Sequence, residues 1–296
     1  MDSALIGCVA DVWRRWADSP SVVGRYAFAP PMPSSYSERD LALHYAPRPD
    51  GQPPVPLLHL HPAHDGDLAV FADSPVVLMS HGNACDIGQM RKSMQMLADR
   101  HRVHVVLYEY DGYGVSGRLG VCSEQRCYSA IQAVYDWLVD NQSCAPEKIL
   151  LYGQSLGTGP TVELAMRLSR RMRADAALRR LYGGVLLQSP FLSCMRVSLP
   201  YSFRWMDMFC NQDKARELIG PVVLVHGDQD QVVPHTHTHE LAALIAEAER
   251  EFYIVEGAGH SNIFLHASPH SDAFDALLRR MQQREINCAA AAAAGE

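Results

Sequence analysis

The 296-residue sequence has no run of the roughly 18 to 20 apolar residues that cross a bilayer, so it predicts no transmembrane helix. Its eight cysteines include no C-x-x-C pair, and a chain of this length buries enough surface to fold without disulfides or a structural metal. It also lacks an excess of basic residues, because 26 lysines and arginines stand against 33 acidic residues, a net charge of −7. These absences argue against a membrane-spanning protein, a disulfide-rich secreted domain and a nucleic-acid-binding protein.

Residues 1–36 are rich in proline, serine and aromatic residues, and the first 16 favour a short amphipathic helix. They lack the apolar stretch of a secretory leader, and position 2 is not the glycine that N-myristoylation needs, so we expect neither. Two alternatives stand for the helix. It packs on the main domain, or its Trp and Arg residues around Cys8 lie among lipid headgroups.

From about residue 40, short runs of valine, isoleucine and leucine alternate with segments of helical pattern. Such runs are typical of strands buried on both faces, and the alternation predicts a mostly parallel sheet with helices on both sides. The predicted strands are 75–79, 103–108, 149–152, 185–187, 221–225 and 252–255. The predicted helices are 88–100, 124–140, 157–173, 235–250 and 272–284. Two earlier apolar segments, 41–45 and 55–60, flank a Pro-Asp-Gly turn and predict an antiparallel hairpin at one edge.

This pattern divides the chain into three parts. We expect an N-terminal extension over 1–36, a main domain over 37–284 and a tail over 285–296. Six consecutive alanines in the tail have no predicted packing partner, so we expect the tail to be disordered.

The most specific motif is G-Q-S-L-G at 153–157, between an apolar run and a helical segment. In this strand–turn–helix context, G-x-S-x-G is a nucleophile elbow, whose small residues allow a sharp turn at the serine. The turn places the serine at a helix N-terminus, where the helix dipole favours negative charge. The sequence therefore predicts Ser155 as a nucleophile.

A serine hydroxyl needs a base, and the base needs a third group that orients it. After an elbow of this kind the order along the chain is Ser, Asp, His. Asp230 and His260 each follow an apolar run, where strands pass into loops at the carboxyl edge of the sheet. They are the predicted acid and base, with Asp228 as the competing acid. His81 and His226 are interpreted as structural residues at strand ends.

Attack on a carbonyl creates an oxyanion, which backbone N–H donors stabilise. The sequence S-H-G-N-A follows the first central strand, and its glycine allows the backbone to approach a substrate. We expect the N–H groups of Asn83 and Leu156 to be the donors.

Three further segments each have two interpretations. The H-T-H-T-H run at 235–239 suggests a metal, but only its first and last histidines share a helical face and no other ligands accompany them, so a solvated helix start also explains it. Residues 190–210 either fill the core or line an apolar slot for an acyl chain, with Phe191, Leu192 and Met195 as candidate contacts. The arginine-rich segment 167–180 is a solvated helical face or a surface for an anionic membrane or partner. We expect no metal and no cofactor.

Six stretches in combination resemble a known family: SHGNACDIGQM, YEYDGYGVSGR, YGQSLGTGPTVELA, SPFLSCMRV, VHGDQDQVV and VEGAGHSNI. Over about residues 76–265 the chain is similar to the α/β-hydrolase domain-containing protein 17 subfamily, serine hydrolases that remove palmitate from cysteines of membrane-bound proteins. YAFAPP at 26–31 resembles the segment before the catalytic domain of that subfamily. The resemblance implies an α/β-hydrolase fold and the same assignment of nucleophile, acid, base and oxyanion donors.

Two features depart from that subfamily. Its N-terminal region carries a cluster of acylated cysteines that hold the enzyme at membranes, whereas this chain has only Cys8 there. A single acyl chain gives marginal, reversible binding. The arginine-rich excursion at about 167–182 is also longer than the corresponding loop of the subfamily.

We therefore expect a serine hydrolase that cleaves acyl thioesters, above all palmitoyl-cysteine in proteins. A lipid or small-molecule esterase, or an aminopeptidase-like hydrolase, is the alternative within the same chemistry. An inactive protein that binds acylated partners or membranes is the alternative of another class. We expect a cytoplasmic monomer that acts on an acylated protein or acyl ester, contacts membranes peripherally and does not bind nucleic acid.

Overall fold

The computed structural model describes residues 27–63, 74–118, 122–175, 178, 180–200, 206–265 and 267–294. The strands are β1 Leu43–Ala46, β2 Val55–Leu60, β3 Val76–Ser80, β4 His104–Tyr108, β5 Ile149–Gln154, β6 Gly184–Gln188, β7 Val222–Gly227 and β8 Arg250–Val255. The α-helices are α1 Ile87–His101, α2 Glu124–Asp136, α3 Thr158–Ala174, α4 Cys194–Ser198, α5 Asn211–Lys214, α6 Thr236–Leu244 and α7 Ala267–Ala294. The helix predicted for the first 16 residues, with Cys8, lies outside the described residues.

The strands form one sheet in the order β1-β2-β4-β3-β5-β6-β7-β8. Strands β3 to β8 all run parallel to one another. Strand β2 pairs antiparallel with β4, and β1 pairs antiparallel with β2. Both the mostly parallel sheet and the antiparallel N-terminal edge are confirmed. Because the central strands are parallel, their carboxyl ends meet at one edge, and the loops that leave this edge are close together.

Helices cover both faces of the sheet. The side chains of β3 show why: Val76 and Leu78 pack with the core that includes α2, α3 and α6, and Val77 and Met79 pack with the core that includes α1 and α7. A strand buried on both faces needs apolar residues at every position, which is the pattern the sequence shows. Each such side chain contributes about 1.5 to 3 kcal/mol by leaving water.

The helix α6 ends earlier than predicted. It stops at Leu244 instead of continuing to Arg250, which begins β8. The Arg250 guanidinium donates hydrogen bonds to the carbonyls of Ala242 and Ile245. A basic side chain that satisfies the last carbonyl groups stabilises a helix end, and this contact comes from the next strand.

The described part of the predicted extension packs on the main domain. Phe28 is buried and meets Phe209 edge to face, with ring centroids 6.1 Å apart. Tyr36 is buried and donates a hydrogen bond of 2.7 Å to Glu109. Residues 27–36 thus contact the main domain, and the boundary at residue 37 stays a prediction.

The C-terminal helix differs from its prediction. Its backbone is helical from Ala267 to Ala294, whereas the sequence predicts a helix at 272–284 and disorder after it. Phe274, Leu277 and Met281 anchor it in the core. Alanine has the highest helix propensity, so a poly-alanine segment that follows an anchored helix extends it.

Two features bear on the predicted membrane contact. In the described part of the chain, no helix is both long enough and apolar enough to cross a membrane. In the arginine-rich segment, Arg167 pairs with Glu163 at 2.7 Å and Arg170 pairs with Glu217 at 2.6 Å. These pairs reduce the basic charge that the helix face presents.

Candidate active site

The sharp turn at Ser155 has the geometry of a nucleophile elbow. Ser155 follows β5 and adopts a left-handed backbone conformation with φ of 50°, in a single turn that leads into α3. A Cβ atom at Gly153 would lie 2.6 Å from the carbonyl oxygen of Gly157, and one at Gly157 would lie 2.1 Å from that of Ser80. Side chains at these positions are excluded, which explains the two glycines of the motif.

Ser155, His260 and Asp230 form one hydrogen-bonded chain. His260 Nε2 lies 2.9 Å from Ser155 Oγ, and His260 Nδ1 lies 2.7 Å from Asp230 Oδ2. The serine leaves β5, the aspartate follows β7 and the histidine follows β8, so the sheet brings them together at its carboxyl edge. Since the carboxylate accepts from Nδ1–H, Nε2 carries a lone pair toward the serine hydroxyl.

The Asp230 carboxylate is buried and has four donors. Oδ2 accepts from His260 and from His226 Nε2 at 3.0 Å, while Oδ1 accepts from the backbone N–H groups of Val232 and Val233 at 2.9 and 2.8 Å. Burial raises the pKa of Asp230, but the hydrogen bonds from His226, His260 and Val233 outweigh it and hold the pKa below its ordinary range. The Asp230 carboxyl group is therefore ionised at neutral pH.

Asp228, the competing acid, has a different place. Its Oδ1 accepts a 2.7 Å hydrogen bond from the N–H of Gly257, and its own N–H donates to the carbonyl of Val255 at 3.1 Å. These bonds fasten the loop after β7 to the loop after β8. The geometry therefore separates the two aspartates, because Asp230 contacts His260 and Asp228 joins the loops.

The loop that follows β3 lies beside the serine. A Cβ atom at Gly82 would be 3.7 Å from the Cβ atom of Ser155, so the residue before Asn83 lies beside the serine side chain. Within the described residues the Asn83 N–H donates no hydrogen bond. Leu156 directly follows the serine at the start of the turn. That the N–H groups of Asn83 and Leu156 are oxyanion donors stays a prediction.

The side chain of Asn83 is used for a different purpose. Its Oδ1 accepts hydrogen bonds from the N–H of Ala29 at 2.9 Å and from Tyr113 OH at 2.6 Å, and its Nδ2 donates to the carbonyl of Ala27 at 3.0 Å. These three bonds fasten the loop to residues 27–29 and to the loop after β4. The position of the Asn83 N–H therefore depends on the segment before the predicted domain boundary.

A buried ionic group lies beneath this loop. His81 Nδ1 is 2.9 Å from the carbonyl oxygen of Gly82, and its Nε2 is 3.0 Å from Glu109 Oε1, so both ring nitrogens face acceptors. Burial lowers the pKa of His81, but hydrogen bonds with Cys85 and Glu109 outweigh it and raise the pKa well above its ordinary value. The protonated ring satisfies both acceptors, and Tyr36 completes the group by donating to the other carboxylate oxygen.

The predicted substrate contacts divide between the two interpretations of their segment. Phe191 and Leu192 are buried in the same core as α2 and α3, which fits the core-filling interpretation. Met195 is half-buried on the short helix α4. That this segment contacts substrate stays a prediction, and Met195 is the most accessible of the three candidate contacts.

The H-T-H-T-H run begins α6, and its members face different ways. His237 is buried and its Nδ1 accepts from the N–H of Leu192 at 3.4 Å. The rings of His235 and His239 are 5.8 Å apart, and that of His239 also packs on Phe252. In the described ranges, no group of three potential metal ligands includes any of them.

The residues that hold the site residues in place are not evident from the sequence. His226, interpreted above as a structural residue at a strand end, donates to Asp230, and its Nδ1 lies 2.7 Å from Thr238 Oγ1. Glu109 and Tyr113 stand in the YEYDGY stretch after β4, at the carboxyl edge where functional groups collect. That position is the one signal in the sequence that points to them.

The chain is similar in sequence to curated proteins of one subfamily. No family model matches it. It is 38% identical over 196 residues to "Alpha/beta hydrolase domain-containing protein 17C" of Xenopus tropicalis, which covers 64% of this chain and 57% of that protein. It is 36% identical over 197 residues to the human protein 17B, which covers 64% of this chain and 62% of that protein. The chain thus spans less than two thirds of the length of these curated relatives. The resemblance to the protein 17 subfamily is confirmed.

Solved structures give the fold. An alpha-beta serine hydrolase homologue from Coxiella burnetii has a TM-score of 0.51 at 16% identity and covers 81% of this chain and 96% of its own. A cold-adapted esterase from an Arctic intertidal metagenomic library has a TM-score of 0.54 at 15% identity and covers 80% and 92%. The chain has the α/β-hydrolase fold. This confirms the fold class expected from the resemblance.

Proposed function

We propose that the protein is a serine hydrolase that cleaves acyl thioesters, with Ser155 as nucleophile, His260 as general base and acid, and Asp230 as the group that orients His260. The observation that carries this proposal is the unbroken hydrogen-bond path from the Ser155 hydroxyl through the His260 ring to the buried carboxylate. A serine outside such a path is a weak nucleophile.

In the first half of the reaction, Ser155 Oγ forms a bond to the acyl carbonyl carbon while its proton passes to His260 Nε2. Negative charge develops on the carbonyl oxygen, which the N–H groups of Asn83 and Leu156 stabilise. Each such donor contributes on the order of 10² to 10³ in rate. The carbon–sulfur bond then breaks, and the leaving thiolate takes the proton from His260, leaving the acyl group on Ser155.

In the second half, a water molecule attacks the acyl-enzyme. His260 Nε2 accepts a proton from the water, the new oxyanion occupies the same pocket, and collapse returns the proton to Ser155 Oγ and releases the fatty acid. Asp230 remains ionised throughout. Its role is to hold the Nδ1 proton and to stabilise the imidazolium that forms in each half.

The substrate class is inferred from chemistry and from the resemblance. A thiolate leaves more readily than an amine, which favours thioesters over amides, and the resemblance to the protein 17 subfamily implies palmitoyl-cysteine of membrane-bound proteins. Such substrates would place the enzyme on the cytoplasmic face of membranes, in peripheral contact. The two ion pairs of the arginine-rich segment leave fewer arginines for that contact than the sequence suggests.

The experiment compares three substrates: a palmitoyl-cysteine peptide, a short p-nitrophenyl ester and an aminoacyl amide. We expect hydrolysis of the palmitoyl peptide at the highest kcat/KM, and its loss in the folded Ser155→Ala variant. An equal rate in the variant would overturn the mechanism. A higher kcat/KM for the short ester or the amide would overturn the substrate class and leave the mechanism standing.

The same samples test the alternative that the site only binds acylated partners. If the wild-type protein binds the palmitoyl peptide as tightly as Ser155→Ala and hydrolyses none of the three substrates, the protein is a binding module. Release of fatty acid by the wild type alone contradicts that alternative.

A further inference from the structure

Three histidines lie at the edge of the sheet opposite to Ser155. His104 begins β4, whereas the site described above lies where the parallel strands end. Because β2 runs antiparallel to β4, its carboxyl end with His59 and the following His61 lies at that same edge. The register pairs His59 with Val106, so side-chain alternation places His59, His61 and His104 on one face.

The three imidazole rings form a compact cluster. His59 Nε2 lies 3.1 Å from His104 Nδ1, and the ring centroids of His59 and His61 are 3.9 Å apart. One ring nitrogen from each of the three lies within 4.8 Å of the others. His104 is buried and the other two are half-buried, so the cluster is sheltered and reachable from solvent.

The backbone beneath the cluster is fixed from the other face of the sheet. Gln95 on α1 donates a 2.7 Å hydrogen bond to the carbonyl of His61, and Asp99 accepts one of 2.8 Å from the N–H of Ala63. Within the described part of the chain, His61 Nδ1 is buried and has no hydrogen-bond partner. A buried ring nitrogen without a partner is costly, and a bound ion that organises the cluster would remove that cost.

We propose that His59, His61 and His104 bind a divalent transition-metal ion, for which Zn²⁺ is the reference. Zinc–nitrogen bonds of 2.0 to 2.1 Å in a tetrahedral site require ligand nitrogens about 3.3 Å apart. The His59–His104 pair already has nearly that spacing. A ring nitrogen of His61 lies within 4.8 Å of those of the pair, so His61 must move closer to complete the site. Three imidazoles leave the fourth position to water.

The ligand type selects the class of ion. Imidazole nitrogen suits zinc, copper, nickel and cobalt, whereas calcium and magnesium take oxygen ligands. The ion would join β2 to β4 at the edge away from Ser155, so it belongs to the stability of the antiparallel edge and not to acyl transfer. This proposal revises the expectation that the protein holds no metal.

The sequence carries little signal for this site. His59 and His61 form an H-x-H pair, but His104 is 45 positions from His59. Only the pairing of β2 with β4 makes them neighbours. The H-T-H-T-H run is a more conspicuous pattern, but within the described residues its three histidines do not form one group of potential ligands.

The experiment titrates the chelator-treated 296-residue chain with Zn²⁺ against a competing chromophoric chelator, and with Co²⁺ while its visible absorption is followed. We expect one tight site per chain and the absorption of tetrahedral Co²⁺ with nitrogen ligands, without thiolate charge transfer. The variants His61→Ala and His104→Gln should each weaken Zn²⁺ binding by at least about tenfold. The control variant His235→Ala with His239→Ala should bind as the wild type does.

Folding of each variant is checked by far-UV circular dichroism. His61→Ala is the main variant, because its ring is half-buried and removing it also removes the unpartnered nitrogen. Equal Zn²⁺ affinity in the wild type and folded His61→Ala overturns the proposal, as does loss of the tight site in the His235/His239 control. Absence of a tight site in the wild type overturns it irrespective of any variant. Hydrolysis by Ser155 is not part of the readout.

Discussion

On one side of Ser155, the acid and base come from loops that follow adjacent strands β7 and β8, whereas on the other side Asn83 is held by residues 54 and 56 positions away. The acid side is fixed by loop-to-loop hydrogen bonds and by the four donors on Asp230. The 81–83 loop is fixed by the ionic group of His81 and Glu109 and by the hydrogen bonds between Asn83 and residues 27 and 29. The acid side is held by contacts within and between two neighbouring loops. The Asn83 side depends on a segment that lies more than 50 positions earlier in the chain.

This difference predicts which property, kcat or stability, each kind of substitution changes first. Changes on the acid side alter the tautomer and orientation of His260 and should appear first in kcat. Changes on the other side remove buried polar contacts and should appear first as loss of stability. Four substitutions test this division, from the largest expected effect to the smallest.

The largest effect is expected for Asp230→Asn. If the amide oxygen keeps the two backbone N–H donors, its NH₂ group faces His260 Nδ1, so the ring adopts the wrong tautomer and kcat falls by about 10⁴-fold. Steady-state hydrolysis of the palmitoyl peptide measures this. The matched control is Asp228→Asn, which should change kcat by no more than about threefold. Equal effects of the two substitutions would contradict the division between the two aspartates.

The second effect concerns the ionic group beneath the loop. Glu109→Ala leaves His81 and Tyr36 buried without their shared carboxylate, which should lower the free energy of unfolding by about 3 to 5 kcal/mol. Denaturant unfolding measures this, with the exposed Glu247→Ala as the control, expected within about 0.5 kcal/mol of the wild type. A loss as small as that of the control would show that the group does not stabilise the domain.

The third effect is the pH dependence of stability. The pKa of His81 is raised in the folded protein, so its contribution is complete below about pH 6.5, the ordinary pKa of histidine, and is lost as the pH rises toward the raised value. The stability advantage of the wild type over His81→Gln should therefore shrink by up to about 1.4 kcal/mol per pH unit above that point. Thermal melts of both proteins from about pH 5 to 9 measure it. An advantage that stays constant would contradict a protonated His81.

The smallest effect is expected for Tyr113→Phe. The substitution removes one of the three hydrogen bonds to the Asn83 side chain and keeps the ring, so stability should fall by about 1 kcal/mol. Because two bonds to residues 27 and 29 remain, kcat should change less than tenfold. A loss of kcat as large as that of Asp230→Asn would place Tyr113 in the reaction itself and would break the comparison.

The parts of the molecule that were predictable from sequence are those with a local pattern. The buried strands are predictable as apolar runs, and Ser155 is predictable from its flanking glycines. Asp230 and His260 are predictable from their positions directly after strands. The rest depends on contacts between distant residues. The Asn83 side chain meets residues 27–29, Arg250 ends a helix that precedes it, and His59 meets His104 across two strands. Such contacts cannot be predicted from a local sequence pattern, because the residues around each partner do not indicate the other partner.

The central claim is that the path from Asp230 through His260 activates Ser155, and reaction with a fluorophosphonate probe followed by intact mass and peptide mapping tests it most directly. The wild type should gain one adduct per chain, on Ser155. Ser155→Ala should gain none, and His260→Ala should react far more slowly while remaining folded. An unlabelled Ser155 in the folded wild type, or equal labelling of the His260→Ala variant, would contradict the account.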